Sequence, residues 1–570
     1  MNVLRRRGPL TALLAVVLLW LLASCSAIPL AGPVGTLAQP TVVDDDESSP
    51  IKAYEPSIGD DAASIVSGFL AAGADSSDDY SVARKFLAPD LALSWNPTAS
   101  SLIVDQIPTP TPISGDTSWR VSAKVLRTVD GNGVRADVEQ TRSLGFTLKR
   151  VSGEWRIVAA PDGIVVRQAD FDKVFTPVTL YFYADAAATV AVPDPRWITR
   201  RKGLPTAVVA ALMAGPSEYL RGVVTSAFPD GATLSITSVP VEDGTATVDL
   251  PSELAGRLSD QERRLMAQQL RLSLKNVSQV QKVQLSVDHT VLDLGTAEQQ
   301  PPDPIEPQVD STLVGLHEGK LVTSQNGQFT AVPGSGDLPA KVDAPALAQS
   351  GNGVAVLNSA HTQLLAVGEG GKVTQLAKGS QLAGGTKLVA PSYDARSWVW
   401  TAQSGADELI AARASGGKTA VLSPDWLTGI TVRSLRVSVD GTRLAIVGEE
   451  NNASVVLVTG IVRDGAGQPS GLTSPLRLTS SVRPTSVLWA SDARLVVYRP
   501  SAADMLAVET LGLDGSATAW TQKLRGVTHL AVPAGSDQAV LGQTADGLFE
   551  RKSGTWEQVE LGLTAPSYRG

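Results

Sequence analysis

Apolar positions in this chain recur first with a helical period and later with a strand period, and the change divides it into parts. At the start, Leu10 to Leu22 forms a run of thirteen uncharged residues behind Arg5, Arg6 and Arg7. A positive segment followed by a short apolar run is the layout of an export signal, assigned to residues 1–24. The run is shorter than the roughly 18 to 20 residues that cross about 30 Å of hydrocarbon, so no retained span is expected. Residues 25–56 are rich in Pro, Ala and Ser and carry Asp44-Asp45-Asp46-Glu47. Such a stretch cannot bury a core and reads as a flexible tether.

The first folded unit is expected over residues 57–172. Ala62, Ile65, Val66, Phe69 and Leu70 fall at i, i+3, i+4, i+7 and i+8, which predicts an amphipathic helix. A second helix is expected from Val82 to Leu87, stopped by Pro89. Strands follow at Trp119–Thr128, Val134–Thr141 and Trp155–Val158, with Asp130-Gly131-Asn132-Gly133 as a hairpin turn. Two helices feeding a curved antiparallel sheet make this an α+β unit. Its pattern is similar to the cone-shaped NTF2-like fold.

A second unit spans residues 176–294 and opens with the strand Val178–Tyr183. Pro205 and Thr206 start a helix that Gly215-Pro216 terminates. Strands Thr233–Val239 and Thr245–Leu250 around Glu242-Asp243-Gly244 read as a hairpin. Ser259 with Glu262 makes a capping box for a helix lined by Met266, Leu270, Leu274 and Val277. A last strand runs from Val280 to Val287. This order of elements, with Gly215-Pro216 and the turn Phe228-Pro229-Asp230-Gly231, resembles the GerM domain of spore-germination and cell-envelope proteins. The resemblance implies an α/β domain that binds within the envelope.

Prolines and charges in residues 295–310 predict an extended spacer. From 311 to 570 short apolar strands alternate with Gly, Ser, Asn and Asp turns, and the pattern repeats. Strand starts at Val354, Trp398, Leu444, Leu495 and Ala539 lie 44, 46, 51 and 44 residues apart. That period suits four-stranded β-propeller blades. Five copies are visible. A further blade is expected from Leu313–Val332 together with the strand near Trp556–Leu561, giving a five- to six-bladed propeller. Ser438-Val439-Asp440-Gly441-Thr442-Arg443-Leu444-Ala445 resembles the blade signature of TolB-type propellers. Trp398 and Trp400 share one strand face and Val399 takes the other, which suits packing between blades.

Composition then narrows the chemistry. The 570 residues carry a net charge of −9, so a nucleic-acid partner is not expected. Cys25 is the only cysteine, so disulfides cannot contribute stability. It ends Leu22-Ala23-Ser24-Cys25, which resembles the lipobox of bacterial lipoproteins. That resemblance implies acylation, palmitate among the chains, at Cys25, cleavage before it, and a lipid anchor on the outer face of the cell membrane. Two or three chains anchor stably where one gives only marginal binding.

No catalytic, cofactor-binding or metal residue is singled out. The chain contains no G-x-S-x-G, and His289, His317, His361 and His529 show no metal-ligand spacing. Asp288-His289 reads as a surface pair at a strand end. Gly368-Glu369-Gly370-Gly371-Lys372-Val373 lacks the residues of a phosphate loop, and Gly131-Asn132-Gly133 joins strands rather than opening a dinucleotide-binding helix. The expectation is a binding protein without enzymatic activity and without a cofactor. Two alternatives stay open: a propeller hydrolase or binder acting on cell-wall glycan through a carboxylate-lined channel, and a solute-binding lipoprotein with a cleft between two lobes.

A lipobox, an α+β unit, a GerM-like unit and a propeller, in that order, resemble the LpqB lipoproteins of actinobacteria over nearly the whole mature chain. The resemblance implies a role beside a two-component system of the MtrA-MtrB type. In that role the lipoprotein touches the extracellular part of the sensor kinase and modulates signalling tied to cell-wall homeostasis and division.

Overall fold

The computed structural model describes residues 51–201, 203–296, 301, 304, 312–351, 353–379, 387–404, 406–533, 535 and 539–569. Cys25, the expected signal segment, the tether as far as residue 50 and most of the expected spacer lie outside the described residues. Among the described residues no helix is long and apolar enough to cross a membrane.

Helix α1 (Ala62–Ala72) begins at Asp61, whose side chain accepts from the Ser64 N–H at 2.7 Å. Such a cap satisfies one of the N–H groups a helix start leaves without a partner. Ile65, Val66, Phe69 and Leu70 are buried, as their spacing predicts. The second helix departs from expectation. It shrinks to α2 (Ser81–Arg84), entered through Asp78, Asp79 and Tyr80, all at positive φ. Pro89 opens a third helix, α3 (Pro89–Ser94), instead of ending one. Proline fits the first helical turn because the N–H it lacks would have no helical partner there.

Six strands complete the unit: β1 (Ser100–Val104), β2 (Thr111–Ser114), β3 (Ser118–Asp130), β4 (Arg135–Val151), β5 (Glu154–Ala159) and β6 (Ile164–Arg167). The sheet order is β5-β4-β3-β1-β6, with β2 on β3, and only β1 with β6 is parallel. Val121, Ala123 and Val125 of β3 face inward while Arg120, Ser122 and Lys124 face water, the alternation a half-buried strand requires. Asp130 fixes the β3–β4 turn by accepting from the N–H groups of Asn132 and Val134, each at 2.9 Å. The tail of the expected tether already docks here: Ala53 N–H donates to the buried Asp75 at 3.0 Å.

The second unit follows α4 (Phe171–Val174) and begins with a ribbon of β7 (Phe175–Tyr183) and β8 (Ala191–Thr199). It continues through α5 (Leu204–Met213), β9 (Val241–Glu242), β10 (Thr245–Leu250), α6 (Ser252–Ala255), α7 (Asp260–Leu274), β11 (Lys282–Val287) and β12 (Thr290–Val291). The sheet order is β12-β11-β10-β9, with β10 parallel to β11 across the α6–α7 connection. The capping box forms as read: Ser259 Oγ accepts from Glu262 N–H at 3.3 Å and Glu262 Oε2 from Ser259 N–H at 2.8 Å. The expected hairpin is much shorter, because 233–239 is not a strand and only Val241–Glu242 pairs with β10. Met266, Leu270 and Leu274 pack with Leu180, Phe182, Val208, Leu212, Val248 and Leu285 into one core. At about 1.5–3 kcal/mol per fully buried side chain of this size, that cluster dominates the unit's stability.

Among the described residues the C-terminal half is a ring of six sheets, each of four strands with a fifth in blade four. The aligned starts Val354, Trp398, Leu444 and Leu495 belong to the second strands of blades two to five, and blade six starts its own at Val540. Blade one differs from expectation in how it closes. Its strands Leu313–His317, Lys320–Gln325 and Gln328–Ala331 are completed by Leu563–Tyr568. Thr555–Val559 is instead the outer strand of blade six. Separate apolar clusters fill the joints between neighbouring blades all the way round, the last joining Leu313 and Val322 to Leu541, Leu548 and Leu563. Closure is by this side-chain packing, and the inner strand of each blade turns its one unpaired edge to the channel. Trp398 and Trp400 fill the joint between blades three and four, and Val399 that between two and three.

Candidate functional site

The most built-up polar region is where the second unit meets the propeller. Asp194 and Arg196 sit two apart on β8 and so on one face. Both are fully buried, and Arg196 Nη2 donates to Asp194 Oδ2 at 2.6 Å. Asp194 also accepts from Ser217 N–H and Oγ, each at 2.8 Å, which anchors the segment after α5. That segment carries Tyr219 and Leu220 into blades four and five, where they share one apolar cluster with Val192, Val447, Val458, Trp489 and Val497. Thr473 Oγ1 donates to the Tyr219 carbonyl at 2.7 Å. Gly460 lies so close beneath that carbonyl that any Cβ there would collide with it.

The TolB-like turn of blade four lies under the same contact. Asp440 pairs with Arg443 and accepts from Ser438 Oγ at 2.7 Å and Thr442 N–H at 2.8 Å. Burial alone would raise the Asp440 pKa, but Arg443, Thr442 and Ser438 outweigh it and hold the carboxyl below its ordinary range. Burial pushes the Tyr219 phenol well above its usual value, and the Arg443 guanidinium stacks 5.1 Å from the Trp489 ring centre. In blade three Asp394 does the equivalent work, accepting from the N–H groups of Arg396 and Trp398 and from Trp400 Nε1 and Arg463 Nη2.

A second, polar contact with the propeller is made by Arg135 of the first unit together with Trp197 of β8 in the second unit. Arg135 Nη1 and Trp197 Nε1 both donate to the Asp514 carbonyl, at 3.4 and 2.8 Å, in the turn between the third and fourth strands of blade five. Arg196 Nη1 donates to the Asn132 carbonyl at 2.7 Å, and Trp197 N–H to that of Gly133 at 2.7 Å, joining the first two units. Beside these bonds lies a cleft of about 260 Å³, lined by Thr98, Asp130, Asn132, Trp197, Thr199 and Arg201 among others.

The four histidines lie in four different places. His289 turns between β11 and β12, and its ring lies 3.6 Å from Asp249 rather than pairing with Asp288. Asp249 also accepts from Ser286 Oγ and His289 N–H. Ser286 therefore gives its proton to the carboxylate, and no serine–imidazole bond of the kind a nucleophile needs is formed. His317 donates to Gly562 O at 2.7 Å, His361 lies 3.0 Å from Asp343, and His529 lies 2.7 Å from Pro566 O. Among the described residues no three His, Cys, Asp or Glu side chains are placed to hold a metal ion. A cavity lined by the inner strands of blades four to six and the closing strand measures about 30 Å³, and its lining holds no carboxylate.

Arg443 enters the sequence reading only within the TolB-like turn, and none of Asp194, Arg196, Ser217 or Tyr219 is singled out by it. One signal was available: Asp194 and Arg196 carry opposite charges two apart between the apolar Val192 and Trp197, a pattern that places a charge pair on a face otherwise meant for burial.

An α+β unit, a GerM-like unit and a closed six-bladed ring, packed against one another, define a multimodular β-propeller protein. The comparisons make that more particular. Residues 55–172 match the model for the LpqB lipoprotein N-terminal domain, 179–293 that for sporulation and spore germination, and 319–568 that for the LpqB lipoprotein β-propeller domain. Lipoprotein LpqB of Streptomyces coelicolor is 30% identical, over 99% of this chain and 98% of that one. Those of Streptomyces avermitilis and Cutibacterium acnes are each 27% identical over 96% of both chains. The chain belongs to the LpqB lipoprotein family. A solved TolB structure from Agrobacterium tumefaciens has 12% identity and a TM-score of 0.30, covering 44% of this chain and 88% of that one.

Proposed function

We propose that this protein is a non-enzymatic docking lipoprotein, held by acyl chains on Cys25 at the outer face of the cell membrane, whose partner is the extracellular domain of a sensor kinase. The family resemblance supplies the kind of kinase, one of the MtrA-MtrB type serving cell-wall homeostasis and division. The observation that carries the reading is the joint between the second unit and the propeller. Val192, Tyr219 and Leu220 lie inside the core of blades four and five, braced by the buried Asp194–Arg196 pair.

A body fused in this way holds its outer surfaces at fixed spacing, as a protein must if contact with one conformer of a partner is to bias that partner's equilibrium. Such a bias equals the difference in affinity between the two conformers.

The test is in-cell photo-crosslinking from the GerM-like unit and from the propeller, with Cys25→Ser as the control that loses the anchor. Capture of the kinase ectodomain, weakened in the control, is the expected result. Capture of glycan or wall enzymes without the kinase overturns the reading and favours the wall-polymer alternative.

A further inference from the structure

The inner strands of the propeller enclose one group whose charge the fold leaves uncompensated. Arg436 lies on the first strand of blade four, half-buried, and faces the channel cavity. Its Nη1 donates to two backbone carbonyls, Leu435 O at 2.7 Å and Ala390 O at 3.5 Å. No ion pair joins it to any carboxylate among the described residues, in contrast to Arg196, Arg443 and Arg463, each of which has its aspartate.

The cavity's other polar lining holds no carboxylate. It consists of His529, Ser567, Tyr568 and Arg569, among apolar residues and Trp489. The facing groups do not neutralise it. Asp343 lies 3.0 Å from His361, Tyr498 takes a bond from the Leu530 N–H, and burial together with Arg436 lowers the His529 pKa, so that its ring is neutral near pH 7. A half-buried cation without a counter-charge has lost part of its hydration, and an anion that enters beside it restores part of that loss.

We infer that the channel cavity at Arg436 is an anion site that takes a carboxylate group. A planar guanidinium matches a carboxylate with two parallel bonds, and about 30 Å³ of free space holds a group of roughly two water molecules in size, which excludes a sugar or a nucleotide. The carboxylate belongs either to a small free acid or to an acidic side chain that a partner inserts into the channel.

Trp489 lines the cavity and reports its occupancy. Iodide, an anionic quencher, is titrated against tryptophan fluorescence of the full chain, with neutral acrylamide as the reference. The expected result is a saturable iodide phase that formate displaces. In Arg436→Gln that phase is weakened about ten-fold or more, the loss of one charge-assisted bond. Arg433→Gln, a change on the propeller surface, leaves it unchanged.

Displacement by formate and equally by a short acetylated peptide bearing one aspartate assigns the carboxylate to a partner segment. Displacement by formate alone assigns it to a free acid. Quenching that is linear and identical in Arg436→Gln overturns the site, as does displacement by chloride but not by formate. Circular dichroism of Arg436→Gln confirms that the variant folds, so a lost iodide phase reports the site.

Discussion

The two joints that hold the propeller to the rest of the molecule are built on opposite principles. At the GerM-like unit whole side chains cross over: Tyr219 and Leu220 are buried among blade residues, and the Asp194–Arg196 pair is sealed beside them. At the other joint, contact is polar: Arg135 of the first unit and Trp197 of the neighbouring strand β8 both donate to a single carbonyl, that of Asp514. Separating the first joint exposes an apolar core and two charges. Separating the second exchanges hydrogen bonds with protein for hydrogen bonds with water, which is nearly neutral in net free energy. The propeller and the GerM-like unit therefore behave as one thermodynamic body, with the first unit clasped to it.

The strongest way to break that contrast is Asp194→Ala. It leaves Arg196 fully buried without its carboxylate and should cost about 3–5 kcal/mol in urea unfolding. A cost below about 1 kcal/mol would mean that water reaches the pair and the joint is not sealed. Leu220→Ala comes next, at about 2–4 kcal/mol for a cavity between two modules. Tryptophan fluorescence and amide exchange in the GerM-like unit should then report a single shared transition, and two separated transitions would contradict the one-body reading.

Trp197→Phe keeps the ring packed on Phe171 but removes the bond to Asp514. It should cost only about 1 kcal/mol and raise amide exchange in the turn 513–516 while the segment around Tyr219 stays protected. The finest test is the pH slope of stability. Asp440 is held below 3.8 in the folded chain, so its share of stability is complete above that value and is lost as the pH falls through the folded-state pKa. Asp440→Asn should flatten that acid limb and leave the neutral-to-alkaline limb unchanged; an unaltered acid limb would remove Asp440 from the account.

Legibility in the sequence followed the range of the interactions involved. The capping box at Ser259 and the turn at Asp130 are complete within a few residues, and both form as read. The second strands of the blades were visible because a turn with Asp or Gly precedes each apolar run. Strand β8 was not visible because Pro193 and Pro195 interrupt its pattern. Two apart, they direct their missing N–H groups to the same side, and β8 pairs with β7 alone, so no ladder bond is lost on the other side.

The stretch 233–239 alternates like a strand, yet it forms no ladder with β10: Ser235 N–H reaches the Asp249 carbonyl there, while Val239 N–H turns to Thr206 Oγ1. Pairs such as Trp197 with Asp514 and Tyr219 with Thr473 lie hundreds of residues apart. No local period encodes them. For the same reason the choice between Thr555–Val559 and Leu563–Tyr568 as the closing strand was open, since both read as strands and only ring geometry distinguishes them.

That closing strand also sets a timetable. Leu313–His317 emerges from the ribosome about 250 residues before the partner that covers its inner edge, and for that interval blade one is an unfinished template offering its hydrogen-bonding groups to any extended chain nearby. Loss of Leu563–Tyr568 would remove not a tail but the fastening between first blade and last.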